Sequence, residues 1–153
     1  MIGNEINCLK NVGPVQLSKA TSSCQSLDAN QILPRSKQES DDLVSALLSL
    51  DLSSENGKML VSIGMHRTKE GWFDSAGQLI NFFYWLPNEP ADNLNYAGFR
   101  VDAVNETARW DDYNENEELN LVCIKTAGHG KNNNIQLGAR YLAPRLSCRF
   151  LVI

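Results

Sequence analysis

Apolar residues recur at three- and four-residue spacings early in the chain and at strand-like spacings later, so the sequence changes character partway along. Leu17, Ala20, Cys24 and Leu27 lie three, four and three residues apart, on one face of a helix, which turns Cys24 towards a core. A second helix is predicted from Ser36-Lys37-Gln38-Glu39, a capping box whose serine and glutamate satisfy free backbone donors. It continues with Leu43, Leu47 and Leu50 on one stripe. After Gly57 come the β-rich runs MLVSIGM, INFFYWL, YAGFRVDAV and LNLVCIK, separated by Gly, Asn, Asp and Pro. Helices first and strands afterwards predict an α+β fold.

The 153 residues fit one domain with a core of its own. A net charge of −4, with no run of Lys or Arg, argues against nucleic acid or an anionic membrane as partner. The apolar runs FFYWL and FLVI are far shorter than the ~20 residues of a membrane-spanning helix, so no membrane insertion is expected. MIGNEINCLKN at the N-terminus is polar, carries no apolar signal region and does not settle the compartment. Cysteine usage says more: Cys8, Cys24, Cys123 and Cys148 are far apart and form no C-x-x-C pair, which favours two long-range disulfides over a zinc or redox motif. Disulfides imply an oxidising compartment, and Asn105-Glu106-Thr107 is a glycosylation acceptor in keeping with secretion.

Two acidic segments stand out. WLPNEPADN places Glu89 and Asp92 in a turn-rich loop, and ARWDDYNENEEL brings Asp111 and Asp112 about twenty residues later; two such loops can share one cation or remain solvated. Glu115, Glu117 and Glu118 read as a solvated face leading into the last strand. Catalysis finds no support: His66 and His129 have no metal-ligand spacing, there is no nucleophile elbow, and GHGKNNN at 128–134 lacks the phosphate-loop spacing.

Taken in order, the features resemble the C-type lectin-like domains. The matching residues are Ala20 and Cys24 in the first helix, Glu39 in the second, SIGM at 62–65, Trp72-Phe73-Asp74 before Gly77, Trp85, Glu89-Pro90, Trp110-Asp111-Asp112, and Cys123 in LVCIK. The resemblance spans residues 8–126 and leaves 127–153 as a C-terminal β extension packed on the same domain. It implies two helices, two small antiparallel sheets and a long ligand-binding loop region; Trp72, Trp85 and Trp110 are expected in the core because large aromatics dominate burial. It also implies a disulfide between Cys24 and Cys123, and with it one between Cys8 and Cys148 that fastens strands in IQLGARYL and LSCRFLVI to the N-terminal strand. The family's inner disulfide is missing, its two positions falling near Gly98 and Glu115.

For the acidic loops the resemblance implies a cis Pro90 and a Ca2+ ion held by Glu89, Asp111 and Asp112. The implied ligand surface is Glu89, Asp92, Asn93, Tyr96, Asp111 and Asp112, with Tyr96 and Tyr113 placed to stack on a ligand. Calcium takes about six to eight hard oxygen ligands, which suits carboxylates from two segments. Ala91 departs from the pattern, because its side chain neither ligates an ion nor bonds a hydroxyl. The expected function is secreted or extracellular recognition of a carbohydrate or glycoprotein, with a calcium-independent protein-interaction or structural module as the alternative.

Overall fold

The computed structural model describes residues 6–105 and 107–127, which form two helices and one mixed sheet. In chain order these are β1 (Ile6–Gln16), α1 (Leu17–Gln25), β2 (Asn30–Gln31), α2 (Lys37–Leu48), β3 (Lys58–Thr68), β4 (Gly71–Asp74), β5 (Tyr96–Asp102), β6 (Thr107–Tyr113) and β7 (Glu118–Ala127). The sheet runs β1-β7-β3-β5-β6, with β2 also on β7 and β4 also on β3. The two antiparallel groups that the resemblance implies are joined into this one sheet by a single parallel pairing, Val61 with Asn120. Asn120 is buried at that seam and holds it from three sides: its amide nitrogen donates to Ser53 O and Leu60 O, and its oxygen accepts from Ser53 N.

Both predicted helices form, and each is capped by the means its sequence allows. Gln16, which precedes α1, makes no side-chain cap, but the β6–β7 turn takes over, with Leu17 N donating to Glu117 O and Ser18 N to Glu115 O. Leu17, Ala20 and Cys24 are the buried face of α1, and Cys24 is bonded to Cys123 of β7. At α2, Ser36 Oγ accepts from Glu39 N as the capping box requires, whereas Glu39 Oε2 accepts from Arg35 N, one residue before the cap. Leu43 and Leu47 are buried on the main core, while Leu50 lies beyond the helix end and packs only partly.

One strand expectation fails. INFFYWL forms no ladder, because its aromatic side chains gather around one ring instead of alternating across a pleat: Phe82, Phe83 and Trp85 all meet Trp110, at 5.6, 6.5 and 5.8 Å between ring centroids. The backbone contact is a single parallel bridge from Trp85 to Trp110, flanked by Trp110 N to Tyr84 O and Leu86 N to Trp110 O. Trp110 and Trp72 are buried, as expected, and Trp85 is half-buried between them.

Packing fills the place where the resemblance puts the inner disulfide. Leu17, Tyr113 and Leu119 form a small buried cluster, with Tyr96 and Leu60 partly buried against it. Gly98 lies beneath, and a Cβ there would collide with Leu119 Cδ2 and come 3.1 Å from both Tyr113 Cε2 and the Val61 carbonyl oxygen. The expected extension 127–153 falls outside the described residues apart from Ala127, and with it Cys148 and the Cys8–Cys148 bond; Cys8 itself is buried in β1.

Two stability measurements follow from these contacts. Replacing Cys24 and Cys123 by Ser opens a cross-link of sequence separation 99, and denaturant unfolding should show a loss of about 4 to 5 kcal/mol. Gly98→Ala should cost about 1 to 3 kcal/mol by overpacking, and Leu119→Ala in the same chain should recover part of that loss as a non-additive coupling.

Candidate functional site

The loop between the aromatic run and β5 is fastened at both ends to β6. Leu86 N donates to Trp110 O at its start, and Leu94 N donates to Asp112 Oδ2 at 2.8 Å near its end. Between these points Glu89 N bonds Leu86 O, the Glu89–Pro90 peptide is cis as expected, and Asn88 and Asn93 adopt φ of 67° and 54°. Asparagine tolerates that left-handed region better than most residues, which accounts for its use at both positions. Arg67 of β3 supports the loop from the side, its N–H donating to Asn95 O at 2.8 Å and its guanidinium to Asn93 Oδ1 at 3.3 Å.

These anchors bring the two acidic segments together. Glu89, Asp111 and Asp112 each offer a carboxylate oxygen, and the three oxygens lie within 4.8 Å of one another. Oxygens that close can share an ion at calcium's bond lengths of about 2.3 to 2.6 Å. Asp112 is 3% exposed, and although Oδ2 accepts from Leu94 N, its Oδ1 is buried with no hydrogen-bond partner among the described residues. A buried carboxylate oxygen without a donor is costly unless a cation or water meets it, so the donor set fits a hard divalent ion. Asp111 Oδ1 accepts from Asp112 N at 2.9 Å, and burial together with the Glu89 charge holds its carboxyl above the usual range. Glu89 Oε2 accepts from Ala91 N at 2.8 Å, so Ala91 contributes to the loop through its backbone.

The rest of the expected ligand surface is not gathered there. Asp92 is exposed and outside the acidic group, and the Asn93 side-chain oxygen is turned to Arg67. Tyr113 is buried, correcting the expectation that it stacks on a ligand: Gly98 leaves room for its ring beneath Leu119, and burial and the Asp111 charge push its hydroxyl up to about 12. Tyr96 pairs with Tyr113 across β5 and β6 and is half-buried in the same cluster, so its ring is committed largely to packing. Asn105 sits exposed in the β5–β6 turn, its amide donating to Asp102 Oδ2 at 2.9 Å; Glu106, the middle of that sequon, lies outside the described residues. Glu115, Glu117 and Glu118 are exposed, as expected. His66 is half-buried in β3 and belongs to no acidic or metal-ligating group among the described residues, and His129 lies outside them.

Arg100 is a charged neighbour that the sequence did not point to. Its guanidinium lies 3.8 Å from Asp111 Oδ2, a contact set by the pairing of β5 with β6 and carrying no local signature in the chain.

No protein-family model matches the chain, and no curated protein matches its sequence. Solved structures match it in shape. Human lithostathine does so with a TM-score of 0.66 at 15% identity, over 83% of this chain and 91% of its own. The C-type lectin domain of murine dendritic cell inhibitory receptor 2, solved in complex with an N-glycan, gives 0.63 at 14% identity, over 83% of this chain and 99% of its own. A calcium-independent type II antifreeze protein gives 0.60 at 18%, over 84% and 91%. Such identities speak for architecture alone, and the architecture is plain: the chain carries the C-type lectin-like fold.

Proposed function

We propose that this chain is an extracellular recognition module that binds carbohydrate, free or on a glycoprotein, with the help of a calcium ion held by Glu89, Asp111 and Asp112. The observation that carries the reading is the buried Oδ1 of Asp112, which has no hydrogen-bond partner among the described residues and belongs to a carboxylate grouped with two others. A bound calcium would supply open coordination positions to a pair of vicinal hydroxyls. Around it, the chain's own groups do the rest. Trp110 fixes the two aspartates on β6, Leu94 N holds Asp112 in place, and the exposed Asp92 and Asn93 offer hydrogen-bonding groups at the loop rim. A glycan is bound by one protein of this fold, the dendritic cell receptor domain, which supports the sugar as ligand. The Cys24–Cys123 bond favours an oxidising compartment and hence secretion, with Asn105 as the glycosylated position. Among the described residues no helix is long and apolar enough to cross a membrane.

A second reading keeps the same surface for a protein partner without calcium. It draws on Ala91, which adds no side-chain oxygen where the loop turns, and on the existence of a calcium-independent protein with this fold.

Calcium should raise the melting temperature by mass action, with about 2.7 kcal/mol gained at a hundredfold excess over Kd. Asp112→Asn keeps an oxygen for Leu94 N but removes a charge, so it should abolish the calcium shift while matching or exceeding the wild type in chelator, where carboxylate repulsion dominates. Melts and calorimetry that show no calcium effect on the wild type would remove the cation from the mechanism. On a glycan array, binding should appear with calcium and vanish with chelator; binding to neither glycan nor calcium leaves the protein-partner reading.

A further inference from the structure

We propose that Arg100 is the internal counter-ion of the Glu89, Asp111 and Asp112 cluster and lowers its affinity for a divalent cation by competing for Asp111. The proposal rests on the reading of that cluster as a cation site.

The strand register places the competitor. In the β5–β6 ladder Gly98 stands opposite Asp111 and Arg100 opposite Arg109, so Gly98, Arg100, Asp111 and Arg109 share one face. Gly98 has no side chain to fill the place facing Asp111, and Arg100 reaches across the diagonal to within 3.8 Å of Asp111 Oδ2. Arg109 is turned elsewhere, its guanidinium 3.9 Å from the centre of the Tyr84 ring, and Arg67 is engaged with Asn93. Among the described residues Arg100 is therefore the cation that forms an ion pair with the acidic group, while the other ion pairs join Arg35 to Asp74, Lys37 to Asp41 and Lys125 to Asp28.

The geometry is that of a competitor and not of a fixed partner. At 3.8 Å the contact is longer than a hydrogen bond and acts through space, and the Arg100 side chain is 45% exposed, with the Tyr113 hydroxyl as a further neighbour. Three ionised carboxylates and one guanidinium carry a formal charge of minus two, which a dication cancels. Arg100 offsets a charge of minus three in the empty cluster but only minus one in the loaded one, and it repels the ion itself, so it opposes uptake. Removing its charge must then destabilise the empty state more than the loaded one, which tightens binding.

Wild type, Arg100→Met and Arg100→Lys should be compared by calorimetry with CaCl2 alone and by thermal melts in chelator. Arg100→Met should tighten calcium binding about three- to tenfold at low salt and lower the melting temperature in chelator, while Arg100→Lys stays near wild type on both readouts. A purely structural arginine would not improve calcium affinity when removed. If Arg100→Met binds CaCl2 with wild-type affinity, the counter-ion role is overturned and the cation site stands; if neither protein takes up calcium, the cation site falls and the counter-ion role with it.

Discussion

The arrangement of the site depends on the backbone pairing of Trp110 with the Tyr84–Leu86 segment. Two hydrogen bonds, Trp110 N to Tyr84 O and Leu86 N to Trp110 O, fix where the acidic loop leaves the aromatic run. They persist because the Trp110 ring is fully buried and is met edge-on by Phe82, Phe83, Trp85 and Phe99, so that shifting the pairing would expose or misfit several rings at once. Asp111 and Asp112 follow Trp110 directly and inherit its position. Core packing and ligand geometry are thus set by the same residue.

That coupling has an electrostatic cost. A carboxylate one residue beyond a buried tryptophan is drawn partly out of water, and three of them together repel. The chain offsets some of this locally: Leu94 N meets one oxygen of Asp112, Asp112 N meets Asp111, Ala91 N meets Glu89, and Arg100 approaches Asp111. What remains uncompensated is Asp112 Oδ1. Backbone donors therefore shape the cluster without saturating it, which is the condition a cation site needs before the ion arrives.

Elsewhere the fold trades one kind of constraint for another. The Cys24–Cys123 bond ties α1 to β7 through a small apolar cluster with Ala20, Ala29 and Leu121. On the sheet face above β5, where the resemblance leads one to look for a second cross-link, Leu119 and Tyr113 close over Gly98. The exchange has a side effect at the acidic cluster, because a tyrosine that fills this space is turned into the core, and a glycine opposite Asp111 leaves a path for Arg100.

The two helices were legible in the sequence because their signals are local. A 3.6-residue period buries Leu17, Ala20 and Cys24, and a serine at the N-cap bonds the third residue on, whatever the rest of the chain does. The residue types of the site were legible too, since carboxylates clustered in two turn-rich segments have few uses other than solvation or a hard cation. What the sequence by itself left undecided was register and contact. INFFYWL has the composition of a strand, and only the position of Trp110 decides that its side chains wrap a ring instead of forming a ladder. Tyr113 is the residue type that stacks on ligands, and only the space over Gly98 beside Leu119 decides that it packs inwards. Arg100 lies eleven positions from Asp111 in the chain and is brought beside it by a ladder pairing that no local pattern encodes. Which oxygen of Asp112 is bonded and which is left bare depends on where a distant loop amide falls. Local periodicity and residue chemistry act over a few bonds and can be read along the chain, whereas burial, register and through-space charge exist only once distant segments have met.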